Sequence, residues 1–479
     1  MKTAWWIVFM AAGAIALFAG LDWVGAIETV NPHDADAAPH EYPLLSLYED
    51  VCQSMLCYEL TSSQIEAFEV LLQHGGGSEL REQAYACLRI DTGTYPTAAT
   101  REYRELYSMF SRCFPTSDVM YEFLCKRIAD DLDVHMPTHK DPGAVAAWSW
   151  ADSADTAVNL WKITGERRFL DLVIESYNQV LMFQDRYTET MDDFRGRIMN
   201  GWGLYAGGET PSWEVEITLQ GRITAPILRL IYIVQETNAP WEGFQTWART
   251  AQLEIRAIID QYLSEFVFDD SDEPSGYFMN LRTGDQEPVN HQAAYARTCL
   301  YLYLLTGEDK YRDIVTAVVN YLVSGWQIGD NGAAYWPYKF HPEDPSAEYN
   351  TPFWKASVTQ QFLCEVYHYQ MGFSRDQMEL LVRTFTQNVY QGFGSFNVYT
   401  DGTFRPFSGY NAVHTGQARP RLAMWITLAA HDSDVSAIIA EAVGTRIDIF
   451  PNGWLNGAHP CMATALSIWW LLESGGDLF

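Results

Sequence analysis

The sequence predicts an all-α protein built from repeated antiparallel helical hairpins, and three observations predict it. Two segments match closely: "LWKITGERRFLDLVIESYNQVL" (Leu160 to Leu181) and "LYLLTGEDKYRDIVTAVVNYLV" (Leu302 to Val323). Each reads as an apolar helix, a Thr-Gly-Glu connection and a second helix with an Asp and a Val in register. Weaker copies turn near Thr237, Gly372 and His431, so the turns at 164, 237, 306, 372 and 431 are separated by 73, 69, 66 and 59 residues. A helix-pair repeat of this kind is the mark of a stacked helical array. Composition agrees: at 48% hydrophobic and 19% charged residues the chain has the apolar content of a globular protein rather than of a disordered one.

Each element has a local reason. Gly165 and Gly307 can end their helices in the left-handed conformation that a Cβ disfavours. The acidic residues that follow suit the positive start of the next helix. Long segments rich in Trp, Tyr, Gly and Asp fall between the hairpins, at 185–211, 266–289, 325–353 and 391–419. Long ordered loops are unusual without a function. If the hairpins close into a ring, these loops gather at one end. Within them "GYFMNLRTGDQEPV" and "FNVYTDGTFRPF" read as short β-hairpins with Thr-Gly-Asp and Thr-Asp-Gly turns. Before residue 135, "TSSQIEAFEVLLQHGG" opens on a Thr-Ser cap and supplies further helices.

The chain has 479 residues. Residues 1–26 read as a secretory signal: Lys2, an apolar run from Ala4 to Gly20, then Val24-Gly25-Ala26. An uncleaved membrane anchor is the alternative. Residues 27–42 read as a polar arm, and residues 43–479 as one domain, with N-terminal helices at 43–135 and the hairpin repeat at 140–475. No second run reads as long and apolar enough to span a bilayer. Of the eight cysteines, Cys299 and Cys364 sit in apolar helices and read as buried thiols. There is no Cys-x-x-Cys and no zinc-type His spacing, so neither a structural metal nor a cofactor is expected.

A net charge of -30 makes nucleic acid and anionic membranes poor partners. An acidic polymer would need a local basic patch to overcome that field. Aromatic residues make up 14% of the chain, which fits a large core and also sugar-stacking faces.

The hairpins with their Thr-Gly-Glu connection resemble those of the α/α-toroid carbohydrate-active enzymes over residues 140–475. The resemblance implies an (α/α)n toroid, closed or incomplete, with n of five to seven and short β-hairpins in its loops. The pair Asn290-His291, opening the helix "NHQAAYARTCLYLYLL", is similar to the Asn and His of toroidal alginate and glucuronan lyases. That likeness implies Asn290 as neutraliser of a uronate carboxylate, His291 as base or neutraliser, and a loop tyrosine as proton shuttle. The Arg-x-x-x-Tyr-His segment of alginate lyases has no counterpart here.

The chemistry gives its own reasons. Elimination across a uronate needs its carboxylate neutralised and one proton taken and another returned. His291, Tyr410, Asn290 and His414 are the candidate catalytic residues. Arg195, Arg197, Trp202, Tyr205, Arg222, Tyr295, Tyr338, Tyr349, Arg419 and Arg421 are the candidate substrate-binding residues. The expected activity is a secreted polysaccharide lyase acting on an acidic, uronic-acid-containing polysaccharide.

Three alternatives stand beside it. Paired carboxylates among Asp192, Asp193, Glu209, Glu214, Glu216 and Glu348 could hydrolyse a glycosidic bond. A uronate C5-epimerase would share the base. A non-catalytic carbohydrate-binding protein would keep the aromatics without converging His, Tyr and Arg. Arg195 could equally pair with Asp192, and Arg297 could be one member of a buried ion pair.

Overall fold

The computed structural model describes residues 141–206, 211–237, 240–269, 274–340, 350–391, 397, 399–403, 423–436, 438–439 and 460–479, with six positions between 121 and 132. The chain divides into two compact units, and nearly all described residues belong to the one formed by Ser117–Tyr390, Asn397–Ser436 and His459–Phe479.

Within that unit the hairpins fall where the sequence sets them. Helix α1 (Ala151–Thr164) turns at Gly165, with φ of 70°, into α2 (Arg168–Leu181). Helix α3 (Ile217–Glu236) turns at Thr237 into α4 (Phe244–Asp260). Helix α5 (Val289–Thr306) turns at Gly307, again with φ of 70°, into α6 (Asp309–Ser324). Helix α7 (Phe353–His368) turns through Gly372 into α8 (Arg375–Arg383), whose Ser374 and Gln377 form a capping box. A 3-10 segment (Ala423–Ala430) and α9 (Pro460–Glu473) complete the helices used below.

The hairpins close into a ring. Helix α1 packs on α3, α3 on α5, α5 on α7, α7 on the 3-10 segment, that segment on α9, and α9 on α1 again. Six inner segments therefore surround one axis among the described residues, with α2, α4, α6 and α8 packed outside their partners. The fold is an α/α toroid. Among the described residues strands occur as short antiparallel pairs: β1 (Met191–Asp192) with β2 (Arg197–Ile198), β3 (Leu204–Ala206) with β4 (Ser212–Glu214), β5 (Phe266–Asp269) with β6 (Ser275–Phe278), and β7 (Gln327–Ile328) with β8 (Ala334–Tyr335). The expected hairpin within Gly276–Val289 reduces to one bridge, Met279 with Gln286, because the strand before it pairs with β5.

Helix α3 corrects one expectation. It is 20 residues long with mean hydropathy 1.3, enough by length and composition to cross a bilayer, yet 94% of that stretch is buried inside the protein. Its neighbours explain the composition. An inner helix is packed on every side, so apolar residues run all round it and its few buried polar groups, such as Arg222 and Arg229, are partnered.

Helices α3 and α5 approach each other closely. A Cβ at Gly221 would lie 2.3 Å from the Ala294 carbonyl carbon and oxygen. Two threonine hydroxyls tie the same level, Thr224 to Thr298 at 2.9 Å, and Thr298 donates to the Gly221 carbonyl at 3.1 Å. Gly221→Ala is therefore expected to lower the thermal midpoint, since overpacking typically costs about 1–3 kcal/mol. A variant melting with the parent would contradict this close approach.

The ring axis is filled by charge. Arg297 on α5 donates to Glu365 of α7 through Nε and Nη2, both at 2.8 Å, and to Asp155 of α1 at 2.9 and 3.2 Å. Arg229 on α3 reaches Asp155 at 3.2 Å, Asn159 at 2.7 Å and the Leu478 carbonyl at 3.0 Å. Asn159 in turn meets Ser467 of α9 at 3.0 Å. Burial alone would raise the Asp155 carboxyl, but Arg297, Arg229 and Arg222 outweigh it and hold the group below its ordinary range. The same bonds answer why so apolar a helix carries Arg297: its charge is fully partnered across the ring.

Candidate active site

All inner helices whose turns are described begin at the end of the ring opposite those turns. Their first residues form a mouth. On α5, Pro288 caps the helix with extended backbone (ψ 148°), and the next three residues are Val289, Asn290 and His291. His291 Nδ1 lies 2.8 Å from Glu287 Oε2, and Asn280 Nδ2 donates to Glu287 Oε1 at 3.0 Å. The carboxylate fixes the ring orientation and places the Nδ1 proton, leaving Nε2 for chemistry. The His291 side chain keeps 11% exposure, against 4% for Glu287.

Beside this pair lies a carboxyl group whose hold on its proton is strengthened. Glu214 ends β4, and its acid is pushed from the ordinary 4.5 up to about 7. Burial is the main cause, with Glu216 and then Glu287 adding negative charge, while Arg282 and Arg195 oppose. Arg282 Nε is 3.3 Å from Glu214 Oε2, within ion-pair reach but not aligned as a hydrogen bond. Glu216 stands at the N-cap of α3 with extended backbone (φ -73°, ψ 142°) and is half-buried.

Deeper in the mouth, Arg222 pairs with Asp152 and donates to the Ala147 carbonyl at 3.2 Å. Its guanidinium lies 5.4 Å from the centre of the Trp148 ring, and Lys355 Nζ lies 4.9 Å from the same ring. Trp148, Arg222 and Lys355 thus meet from the α1, α3 and α7 sides. Asn290 is completely buried, and neither its Oδ1 nor its Nδ2 has a partner.

Several candidates go elsewhere. Trp202 is fully buried and donates its indole N–H to the Val180 carbonyl at 2.8 Å, so it is core rather than a sugar platform. Tyr295 is fully buried with its hydroxyl on the Ile259 carbonyl at 2.6 Å; the i,i+4 spacing from His291 put it on a packed face instead of the mouth. Arg195 is held by Asp192 at 2.7 Å and by Glu265 through two bonds of 2.7 Å, which anchors the β1–β2 loop and occupies its donors. Arg197 is exposed on β2, and Tyr205 is 44% exposed on β3, edge-on to Trp213 at 4.9 Å. Tyr338 is half-buried, and its carbonyl accepts the Val289 N–H at 3.0 Å. Tyr349, Tyr410, His414, Arg419, Arg421, Glu209 and Glu348 lie outside the described residues, as does the N-terminal segment.

Sequence reasoning missed Glu287, although its position four residues before His291 was a usable signal. It also missed Asp185, whose carboxyl burial pushes from 3.8 up to about 7, against hydrogen bonds from Trp213 and the Gly203 backbone. Asp185 is fully buried under the β3–β4 hairpin, with Oδ2 on Trp213 Nε1 at 2.8 Å, and serves the fold. Among the described residues no group of three or more His, Cys, Asp or Glu is placed to hold a metal ion.

No protein-family profile and no curated relative matches the chain. Solved structures similar to it include an inactive variant of the alpha-1,6-mannanase GH76A of Salegentibacter sp. HEL1_6 in complex with alpha-1,6-mannotriose. That match is 12% identical, covers 75% of this chain and 100% of the other, and has a TM-score of 0.44. A glycosyl hydrolase family 88 protein from Bacteroides vulgatus matches at 12% identity over 75% and 99% of the two chains, with a TM-score of 0.43. A D-mannose isomerase matches at 10% identity over 75% and 98%, with a TM-score of 0.46.

Proposed function

We propose that this chain is a carbohydrate-active enzyme that hydrolyses a glycosidic bond by acid–base catalysis. Glu214 is the proton donor and Glu216 the base that activates water. The observation that carries this reading is the Glu214 carboxyl, which burial beside Glu216 and Glu287 pushes up to about 7, into the range of a general acid at neutral pH. Glu214 and Glu216 are two residues apart on extended chain. Residues so spaced project to one side of the strand, roughly 6.6 Å apart along the backbone. This reading takes the place of β-elimination as the main one because the Glu214 carboxyl, raised by burial beside Glu216 and Glu287, supplies a proton donor.

One observation favours a second reading. The Glu287–His291 pair is an oriented imidazole suited to taking a proton from carbon, the first step of elimination or epimerisation of a uronate. The two readings order the variants oppositely. For hydrolysis, His291→Ala is expected to cost far less turnover than Glu214→Gln. For proton abstraction, His291→Ala is the more damaging. Turnover of both purified variants, with thermal midpoints measured alongside, decides between them.

A further inference from the structure

Arg282 and Glu287 reach the mouth from one short segment, and one buried side chain, Asn280, holds it. After β6 the chain doubles back. Asn280 N–H donates to the Asp285 carbonyl at 2.7 Å, Gly284 N–H to the Asn280 carbonyl at 2.8 Å, and Glu287 N–H to the Phe278 carbonyl at 2.8 Å. Gly284 makes the reversal with φ of 70°. Residues 281–285 are exposed, while Asn280 and Glu287 at the base are buried. Gln292 of α5 grips the same base. It accepts the Phe278 N–H at 2.8 Å and donates to the Phe278 and Glu287 carbonyls, both at 3.1 Å.

Asn280 uses both ends of its amide. Nδ2 donates to Glu287 Oε1 at 3.0 Å, and the other oxygen of that carboxylate meets His291 Nδ1 at 2.8 Å. Oδ1 accepts the backbone N–H groups of Arg282 and Thr283, both at 3.0 Å, and the Thr283 hydroxyl at 3.3 Å. An Asn side chain that bonds the backbone two residues on closes a tight turn. This turn returns Arg282 to β4, where its Nε stands 3.3 Å from Glu214 Oε2. The other charges that face Glu214 are Glu216 at the start of α3, Glu287 at the base of the same turn, and Arg195 from the β1–β2 loop. A cation this close favours an ionised carboxyl, and water screens the effect where the cation is partly exposed, as Arg282 is at 34%.

We propose that Asn280 is a positioning residue for both halves of the mouth: one end of its amide orients the Glu287–His291 pair, and the other delivers Arg282 to the Glu214 carboxyl. The inference rests on reading Glu214 as the proton donor of the site, and it is tested first without substrate.

The test follows isotopically labelled glutamate carboxyl carbons and histidine ring nitrogens of the full chain by NMR. The Glu214 and His291 signals are identified by their loss in Glu214→Gln and His291→Ala. Arg282→Ala should raise the Glu214 titration midpoint by about 0.5 pH or more, and Arg282→Lys should return it part of the way. Asn280→Ala should raise it too, and should shift the His291 ring signals further than Arg282→Ala does. The double variant decides whether Asn280 acts through Arg282. If it does, Arg282→Ala adds little on top of Asn280→Ala, the non-additivity of two groups in one network. Asn280→Asp keeps the turn acceptor and loses the donor to Glu287, so it covers the case in which Asn280→Ala does not fold. In its background Arg282→Ala should still move Glu214, while the His291 signals are already displaced. A Glu214 midpoint indifferent to Arg282→Ala would overturn the inference. So would full additivity in the double variant, or His291 signals unchanged in both Asn280 variants. Turnover separates the two levels. If Arg282→Ala moves the carboxyl midpoint but not the high-pH limb of activity, Glu214 is not the donor, and the hydrolysis reading falls while this inference stands. If both move together but neither responds to Asn280, this inference falls alone.

Discussion

Glu214→Gln is expected to cut turnover by about 10²–10⁴-fold while the protein stays folded, the usual range when a positioned acid or base is lost. Glutamine keeps the size and removes the proton that the leaving oxygen needs. The parent enzyme should also lose activity as pH rises through about 7, because the proton donor ionises there. In the variant that limb should vanish with the activity. Stability carries the same signature. The folded-state pKa of Glu214 is raised above its ordinary 4.5, so folding favours the neutral form. Its contribution is complete below pH 4.5 and is lost as pH rises through about 7. Asp185 adds a loss over a similar window, from 3.8 to about 7. The thermal midpoint of the parent should therefore fall between pH 5 and 8, and Glu214→Gln should flatten the fall in part, with Asp185 supplying the rest. Melting curves across that window read both effects; a variant with undiminished turnover would remove Glu214 from the chemistry.

Arg297→Ala is expected to be the most destabilising single change in the ring. It leaves Glu365 buried without its cation and takes one of two arginines from Asp155. Removing one partner of a buried pair typically costs about 3–5 kcal/mol, most of it the stranded charge. The loss also has a direction in pH. Asp155 is held below its ordinary range, so its share of stability is present at neutral pH and is lost as pH falls. Chemical denaturation at pH 7 checks the prediction. Adding Glu365→Gln to the variant should restore part of the loss, since the second stranded charge is gone. A single variant as stable as the parent would show that the axis network holds nothing together.

The hairpins were legible because their signals are local. Gly165 and Gly307 end helices in the left-handed conformation, and the apolar faces repeat around them. The register of the ring was not, because it is set by partners far apart in sequence. Asp155 and Arg297 are 142 residues apart, and Arg297 and Glu365 are 68. The sequence could mark Arg297 as one member of a buried ion pair, but it could not name Asp155 and Glu365 as the partners. The same limit explains Trp202 and Tyr295. Aromatic residues near His291 or in a long loop look like sugar platforms, but their polar tips found backbone carbonyls in the core. Glu214 was one acid among many in the loops. What singles it out is burial beside Glu216 and Glu287, a property of three dimensions.

The most direct test of the account is a proton NMR time course of the parent enzyme with neutral and uronate oligosaccharides in deuterated water. Hydrolysis by Glu214 and Glu216 gives new reducing-end anomeric signals, with no vinyl proton and no exchange at ring carbons. A vinyl signal, or deuterium entering a carbon–hydrogen position without cleavage, would contradict it and return the mouth to His291.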